Sequence, residues 1–376
     1  MRFIKHVYKI HTYAQDGRLF EGKTPVSAFL NSSYDGSFIA GLMELRYIQS
    51  LPVERIINYF ESHGFTLKKP TAHKLMEKAS SLFENLYKCI RQTALSDPYK
   101  AADETYYKIL VPEKNSKGKG VRKGYLWVVV GINTRMIYLL YDDGSRSEKV
   151  ILNELGGCKG IIQSDGYSPY RKLESDAYPH ITRIPCLQHI KRKFIDCGED
   201  DPDAKRIVEM INTLYQNEHK HKIGVDGWTV EQNLVHRKKY APDILGEIKD
   251  VLDDIEERGD LLPKSELKEA ITYLRNEWNA VVDIFNYGDT YLDNNIVERM
   301  NRYISLSRKN SLFFGSHKGA ERGAILYTIA LTCRMNKVNL FEYLTDVINR
   351  TAEWQPNTPL EKYRLLLPDR WEKAND

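Results

Sequence analysis

The chain has 376 residues, with 55 Lys and Arg against 51 Asp and Glu and a formal charge of +4. Its length suits two or three domains, and 42% hydrophobic with 28% charged residues is a globular balance that excludes disordered and collagen-like chains. The longest apolar run, residues 125–132, is too short to cross a bilayer, residues 1–13 lack the apolar stretch of a signal peptide, and so small a net charge does not by itself identify a nucleic-acid partner.

Residues 1–36 read as irregular, broken by Gly17, Gly22, Pro25 and Gly36. Helical periodicity begins behind Pro52, where Val53, Ile56, Ile57 and Phe60 share one face, and Gly64 ends that helix. A long second helix follows, with Thr71 as N-cap and Ala72, Leu75, Ala79, Leu82, Phe83, Leu86 and Ile90 as its apolar stripe. Helix, Gly-containing turn, helix is the outline of a helix-turn-helix. Lys68, Lys69, His73 and Lys74 open its second helix, where they would meet phosphates. The alternative is a helical hairpin that only packs.

From residue 99 the apolar period changes to two. Residues 99–111, 124–132 and 135–141 read as strands, the last two joined as a hairpin through Asn133-Thr134. A helix over 147–155, stopped by Gly156-Gly157, leads to a strand over 160–164 that ends at Asp165. A short helix (170–175), a strand (181–185) and a further helix (187–196) complete the run. Three strands, helix, strand, helix, strand, helix is the order of an α/β, RNase H-like core. Residues 199–285 show only helical stripes, among them Ile271, Leu274, Trp278, Val281 and Phe285, and read as a helical insertion. Helices resume over 294–303, 323–335 and 341–350. The expected organisation is an N-terminal helical region (1–95), a core (96–198 and 286–340) interrupted by the insertion (199–285), and a C-terminal helix and tail (341–376).

Three acids stand where such a core would need them: Asp103 in the first strand, Asp165 at the end of the fourth, and Glu298 on the helix after the insertion. Carboxylates so placed can hold two hard divalent cations, one activating the attacking oxygen and one stabilising the leaving oxygen of a phosphodiester. An all-oxygen set suits Mg²⁺ or Mn²⁺. Any single acid among 51 is more often a solvated surface group. Asp293 competes with Glu298 for the third place, but Asp293-Asn294-Asn295 also reads as a helix start. With Asn295 as N-cap, Glu298 would take the third helical position of a capping-box-like arrangement.

Basic clusters flank these acids: Lys117, Lys119 and Lys123 in a loop, Arg192 with Lys193, and Arg308 with Lys309. Phosphate contacts from such groups supply sequence-independent DNA affinity, although a charge run is commonly just a solvated face. Arg302, one helical turn after Glu298, would contact a phosphate or pair with Glu298. The five cysteines are odd in number and scattered without a C-x-x-C pair, so neither a disulfide framework nor a zinc ribbon is expected, and a reducing cytoplasm fits. Cys186 and His189 support the site in one of two ways, as a near-site group that orients the substrate or a carboxylate or, the more ordinary case, as a packed pair that tethers the insertion; zinc would need two more ligands.

Asp103-Glu104-Thr105, Gln163-Ser164-Asp165-Gly166-Tyr167 and Asp293-Asn294-Asn295-Ile296-Val297-Glu298-Arg299 resemble the three catalytic blocks of the insertion sequence 66 family of DDE transposases. Cys186-Leu187-Gln188-His189 with Arg192-Lys193-Phe194, Ser307-Arg308-Lys309-Asn310, Phe314-Gly315-Ser316 and residues 365–371 resemble further blocks in the same order, and the likeness runs over roughly residues 35–371. The resemblance implies an enzyme that cleaves DNA at the ends of its element and joins the 3′-hydroxyls to target DNA without a covalent enzyme intermediate. Asp103, Asp165 and Glu298 would hold two Mg²⁺ (or Mn²⁺) ions. The implied partners are double-stranded DNA, as terminal inverted repeats and as target, further copies of the chain on that DNA, and accessory proteins of the same element. The implied location is the bacterial cytoplasm at the nucleoid, with no membrane. Family members usually carry an N-terminal cysteine-rich segment. Residues 1–34 contain no cysteine, so a short variant or truncated reading frame is expected. Two other readings stay open: a catalytically silent DNA-binding relic, and a structure-specific nuclease of the same fold.

Overall fold

Asp16 and Gly17, at φ of 50° and 72°, turn the chain tightly between two short antiparallel strands, β1 (Thr12–Gln15) and β2 (Arg18–Glu21). Paired positive φ is what a two-residue hairpin turn requires. This corrects the irregular reading of the N-terminus; every residue of the hairpin is exposed, so no apolar alternation announced it. The computed structural model to which this hairpin belongs describes residues 2–22, 27–29, 32–114, 118, 120–355 and 357–373. Lys117 and Lys119, and Pro25, lie outside the described residues.

Gly36 opens a helix rather than breaking the chain: α1 (Gly36–Met43) is capped by the Asp35 carboxylate, which accepts the Phe38 N–H at 2.8 Å. Helices α2 (Val53–Ser62) and α3 (Lys69–Leu82) form the expected pair. Thr71 is not the N-cap. Pro70 sits in the first turn, where its missing N–H costs nothing, and Lys68 takes the cap position. The long second helix is also two helices. Phe83, at φ −90° and ψ 3°, turns its ring into the core and separates α3 from α4 (Glu84–Ser96).

Alternating burial then builds a sheet. β3 (Tyr99–Leu110), β4 (Val121–Gly131) and β5 (Met136–Leu140) form an antiparallel meander. Helix α5 (Glu148–Leu155), capped by Ser147, leads to β6 (Gly160–Ser164), which lies parallel to β3. The short α6 (Ser168–Arg171) leads to β7 (Ile181–Pro185), parallel to β6, and α7 (Leu187–Ile195) follows. The architecture is mixed α/β, with a five-stranded mixed sheet in the order β5-β4-β3-β6-β7.

Three helices, α8 (Pro202–Glu218), α9 (Val230–Glu257) and α10 (Glu266–Ile284), build an apolar cluster from residues such as Ile207, Ile211, Ile248, Leu252, Ile271 and Leu274. It packs with α7 on Tyr99, Ile161 and Ile184 of the sheet. Trp278 is packed against this cluster. A second cluster joins the N-terminal helices to α11 (Asn295–Asn310), α12 (His317–Met335) and α13 (Leu340–Thr351); α14 (Leu360–Arg364) follows. α12 covers the sheet edge at β5. There the Thr328 hydroxyl accepts the Leu139 N–H at 2.9 Å and the Thr332 hydroxyl donates to the Ile137 carbonyl at 2.8 Å, so exposed strand groups are satisfied. Among the described residues, no helix is long and apolar enough to cross a membrane.

Candidate active site

Register brings the first two acids together. β3 and β6 pair Tyr99 with Ile161 and Ala101 with Gln163; carried two residues further, that register sets Asp103 beside Asp165, just beyond the last ladder bonds. Asp103 Oδ1 accepts the Glu104 N–H at 2.8 Å, and Oδ2 accepts from Asn301 Nδ2 at 2.6 Å. Asp165 Oδ1 accepts the Tyr167 N–H at 3.1 Å. Burial, then the charges of Asp165 and Glu104, push the Asp103 carboxyl up to about 8. Two carboxylates crowded in this way favour either a proton or a cation between them. The next residue, Gly166, is required by close approach: a Cβ there would lie 2.4 Å from the Tyr273 hydroxyl, which accepts the Gly166 N–H at 2.8 Å.

Several residues that sequence did not single out surround this pair. Glu104 is nearly buried and accepts from Arg146 Nη2 at 2.5 Å and from the Tyr170 hydroxyl at 3.4 Å. Burial raises its carboxyl while the Arg146 bond opposes the rise. The Arg146 guanidinium also lies 4.2 Å from the Tyr167 ring centroid. Asn301 is buried on α11, and Arg183, buried in β7, donates to the Asp165 carbonyl at 2.8 Å. An Asn on a helix and an Arg in a strand carry no local signal of such roles.

Glu298 stands apart. Asn294, not Asn295, is the N-cap of α11, so Glu298 occupies the fourth helical position and the capping-box-like arrangement does not form. Asp293 acts at the helix start, its carboxylate accepting the Asn295 N–H at 3.1 Å. Glu298 Oε1 lies 3.7 Å from His189 Nδ1 rather than pairing with Arg302. With Cys186 Sγ these ligand atoms fall within 4.8 Å of one another; among the described residues, Asp103, Asp165 and Glu298 form no group that compact. α11 is nevertheless pinned to β3 on both sides of Glu298. Asn294 Nδ2 donates to the Ala102 carbonyl at 3.0 Å, and Asn301 reaches Asp103. Cys186 ties the start of α7 to the same segment, its Sγ accepting the Asn294 N–H at 3.3 Å.

Of the basic residues, Arg192 and Lys193 join Arg146 and His189 around a cleft that opens at Asp165. Lys123 is exposed, 4.4 Å from the Tyr106 ring centroid. Arg308 stacks on Tyr106 at 3.9 Å and donates to the Tyr106 carbonyl, so it ties α11 to β3. Arg302 and Lys309 are exposed. Lys68, Lys69 and Lys74 are exposed at the start of α3, with Lys69 paired to Glu54 of α2.

A family model described as "Transposase IS66 family" matches residues 31–322, and the chain belongs to that family. Over 346 residues it is 26% identical to the uncharacterized protein y4jD of Sinorhizobium fredii (strain NBRC 101917 / NGR234), covering 88% of this chain and 65% of that one. It is 25% identical to y4hP and 30% identical to y4qI of the same organism, covering 86% and 69% of this chain but 60% and 49% of those proteins. The chain therefore spans between about half and two thirds of the length of these relatives.

Proposed function

We propose that the chain is a DDE transposase that cleaves DNA at element ends and transfers the 3′-hydroxyl strands to target DNA, with Asp103, Asp165 and Glu298 as its acids. The observation that carries this reading is the register-set pair Asp103 and Asp165, with the Asp103 carboxyl held near 8. The sheet order, with only β4, the second of its five strands, running against its neighbours, supports an RNase H-like core; the cluster of α8–α10 supports a helical insertion within it. The donor set is hard oxygen, which fits Mg²⁺ or Mn²⁺. Two such ions would activate the attacking oxygen and stabilise the leaving one.

The protein's own groups have separable tasks. Asn301 orients Asp103, and Arg183 fixes the chain at Asp165. Arg146, Arg192 and Lys193 neutralise phosphates of the duplex entering the cleft. Glu298 turns from His189 toward the aspartates while α11 stays pinned. Double-stranded DNA, further copies of the chain and accessory proteins of the element are the partners, in a bacterial cytoplasm. Asp103→Asn and Asp165→Asn should each reduce metal-dependent nicking of a labelled element-end duplex to background, with folding and DNA binding kept. A wild-type nicking rate in either variant removes that residue from the site. The separation of Glu298 from the aspartates favours one second reading, a silent DNA-binding relic, which absence of nicking by the wild-type chain would select.

A further inference from the structure

We propose that Cys186, His189 and Glu298 form a binding site for a borderline-soft divalent cation, zinc above all, separate from the hard-cation site at Asp103 and Asp165. The ligand atoms, one sulfur, one ring nitrogen and one carboxylate oxygen, lie within 4.8 Å of one another. The third ligand, lacking when only Cys186 and His189 are considered, is supplied by α11. Mixed S, N and O ligation disfavours Mg²⁺ and suits zinc, and three protein ligands leave a fourth position for water.

Two further observations point to a cation. His189 Nδ1 and Glu298 Oε1 are buried and face each other at 3.7 Å, yet neither has a hydrogen-bond partner. Buried polar atoms are ordinarily satisfied, and a pair that only packed would not leave both of these without partners. Their separation is too long for a hydrogen bond and close to the roughly 3.3 Å between two ligands bound tetrahedrally at about 2.0–2.1 Å.

The second observation is at the sulfur. Cys186 is the N-cap residue of α7, and its Sγ accepts the Asn294 N–H at 3.3 Å. An N–H donor on a sulfur at a helix N-terminus stabilises a thiolate. A bound cation takes the place of the thiol proton and keeps the Asn294 N–H already on the sulfur.

Where Glu298 is the third acid, as proposed above, zinc here withdraws it from Asp103 and Asp165. Cobalt titration of the metal-free full-length chain tests the site independently of catalysis. One equivalent of Co²⁺ should give a tetrahedral spectrum with a thiolate-to-cobalt charge-transfer band, bleached by one equivalent of zinc. Cys186→Ser should lose that band, and His189→Ala and Glu298→Gln should each weaken cobalt binding by roughly tenfold or more. A spectrum without the thiolate band, or a band unchanged in Cys186→Ser, overturns the site. Should Cys186→Ser misfold, wild-type affinity in a folded Glu298→Gln overturns it instead. In the catalytic arm, one equivalent of zinc should slow magnesium-dependent nicking by about tenfold or more; full nicking with zinc bound overturns the competition for Glu298. A chain that never nicks fails as a transposase, and the cobalt spectrum still decides the site.

Discussion

Arg183 and Glu277 form an ion pair in which both side chains are buried, with Arg183 Nη2 2.5 Å from Glu277 Oε2. The same guanidinium donates to the Asp165 carbonyl at 2.8 Å, to the Ser164 hydroxyl at 3.1 Å and to Glu174 at 2.5 Å. One group thus links α10 to the end of β6 and to the backbone of a proposed catalytic acid. A buried pair need not add net stability, but breaking it leaves an uncompensated charge. Arg183→Met should therefore destabilise the chain by about 3–5 kcal/mol. The double variant Arg183→Met, Glu277→Leu should recover much of that loss in chemical denaturation. Nicking should stay impaired in the double variant, because the Asp165 carbonyl then keeps only the Ser164 hydroxyl, at 3.0 Å, and loses its link to β7. Full activity in a stable double variant would reduce the pair to packing.

Asn301 offers a milder test of the same principle, since its Nδ2 donates directly to Asp103 Oδ2 at 2.6 Å. Orienting partners of ligands commonly contribute about 10–100-fold to metal affinity or activity. Asn301→Ala should raise the magnesium concentration needed for half-maximal nicking by about tenfold, with a smaller change in the rate at saturating metal. An unchanged metal dependence would show that Asp103 needs no such partner.

The pH response of the metal-free chain follows from Asp103, whose carboxyl rises from 3.8 in the free state to about 8 when folded. Below pH 3.8 both states hold the proton, and the full contribution is present. As pH climbs toward 8 only the folded chain retains it, so stability falls through that window and levels off above it. Asp103→Asn should remove this component. The comparison is the difference in Tm between wild type and variant from pH 5 to 9, because Glu104 and Glu277 are raised in the same direction. A difference that does not grow in favour of the variant as pH rises would contradict the crowding of Asp103.

Much of the sheet was legible because each strand pairs β-forming residues with a sharp boundary; residues 160–164 form a strand with the expected limits, and Asp165 follows it. The break at Phe83 was not, since a buried aromatic fits the apolar stripe of one long helix as well as the junction of two. The acids Asp103 and Asp165 could be placed by strand position, whereas the neighbours that tune them could not. Arg183 and Glu277 become partners only when β7 meets α10. His189 meets Glu298 across two helices, and Asn301 looks like any polar residue on α11. Long-range juxtaposition has no periodic signature.

For the N-terminal helices, the exposed Lys68, Lys69 and Lys74 give a salt-dependence test. Each phosphate neutralised on duplex DNA contributes about −0.9 to the slope of log affinity against log salt. Lys69 is already engaged by Glu54, so replacing all three by Ala should weaken binding and flatten that slope by about 2 rather than nearly 3. Unchanged affinity and slope would leave the helices as a packing element.

The third acid is decided between Glu298 and Glu104, the latter lying beside Asp165. Both are partly or wholly shielded, but their present partners differ. Glu104 is held by Arg146 at 2.5 Å and approached by Tyr170, with its side chain 6% exposed. A charge-assisted bond of that kind must be broken before Glu104 could serve a cation. Glu298 is 30% exposed, and its nearest partner, His189 at 3.7 Å, is beyond hydrogen-bond reach. The anchors at Asn294 and Asn301 keep α11 on β3, so only the Glu298 side chain has to turn. Glutamine keeps the size of either residue but lacks the charge a divalent cation needs. We therefore expect Glu298→Gln to fold normally and lose metal-dependent nicking. Glu104→Gln should keep most nicking and lose roughly 1 kcal/mol of stability with its Arg146 bond. Asp293→Asn should also stay active, because its carboxylate serves the Asn295 N–H and Asn can do the same. An active Glu298→Gln beside an inactive, well-folded Glu104→Gln would move the third ligand to Glu104.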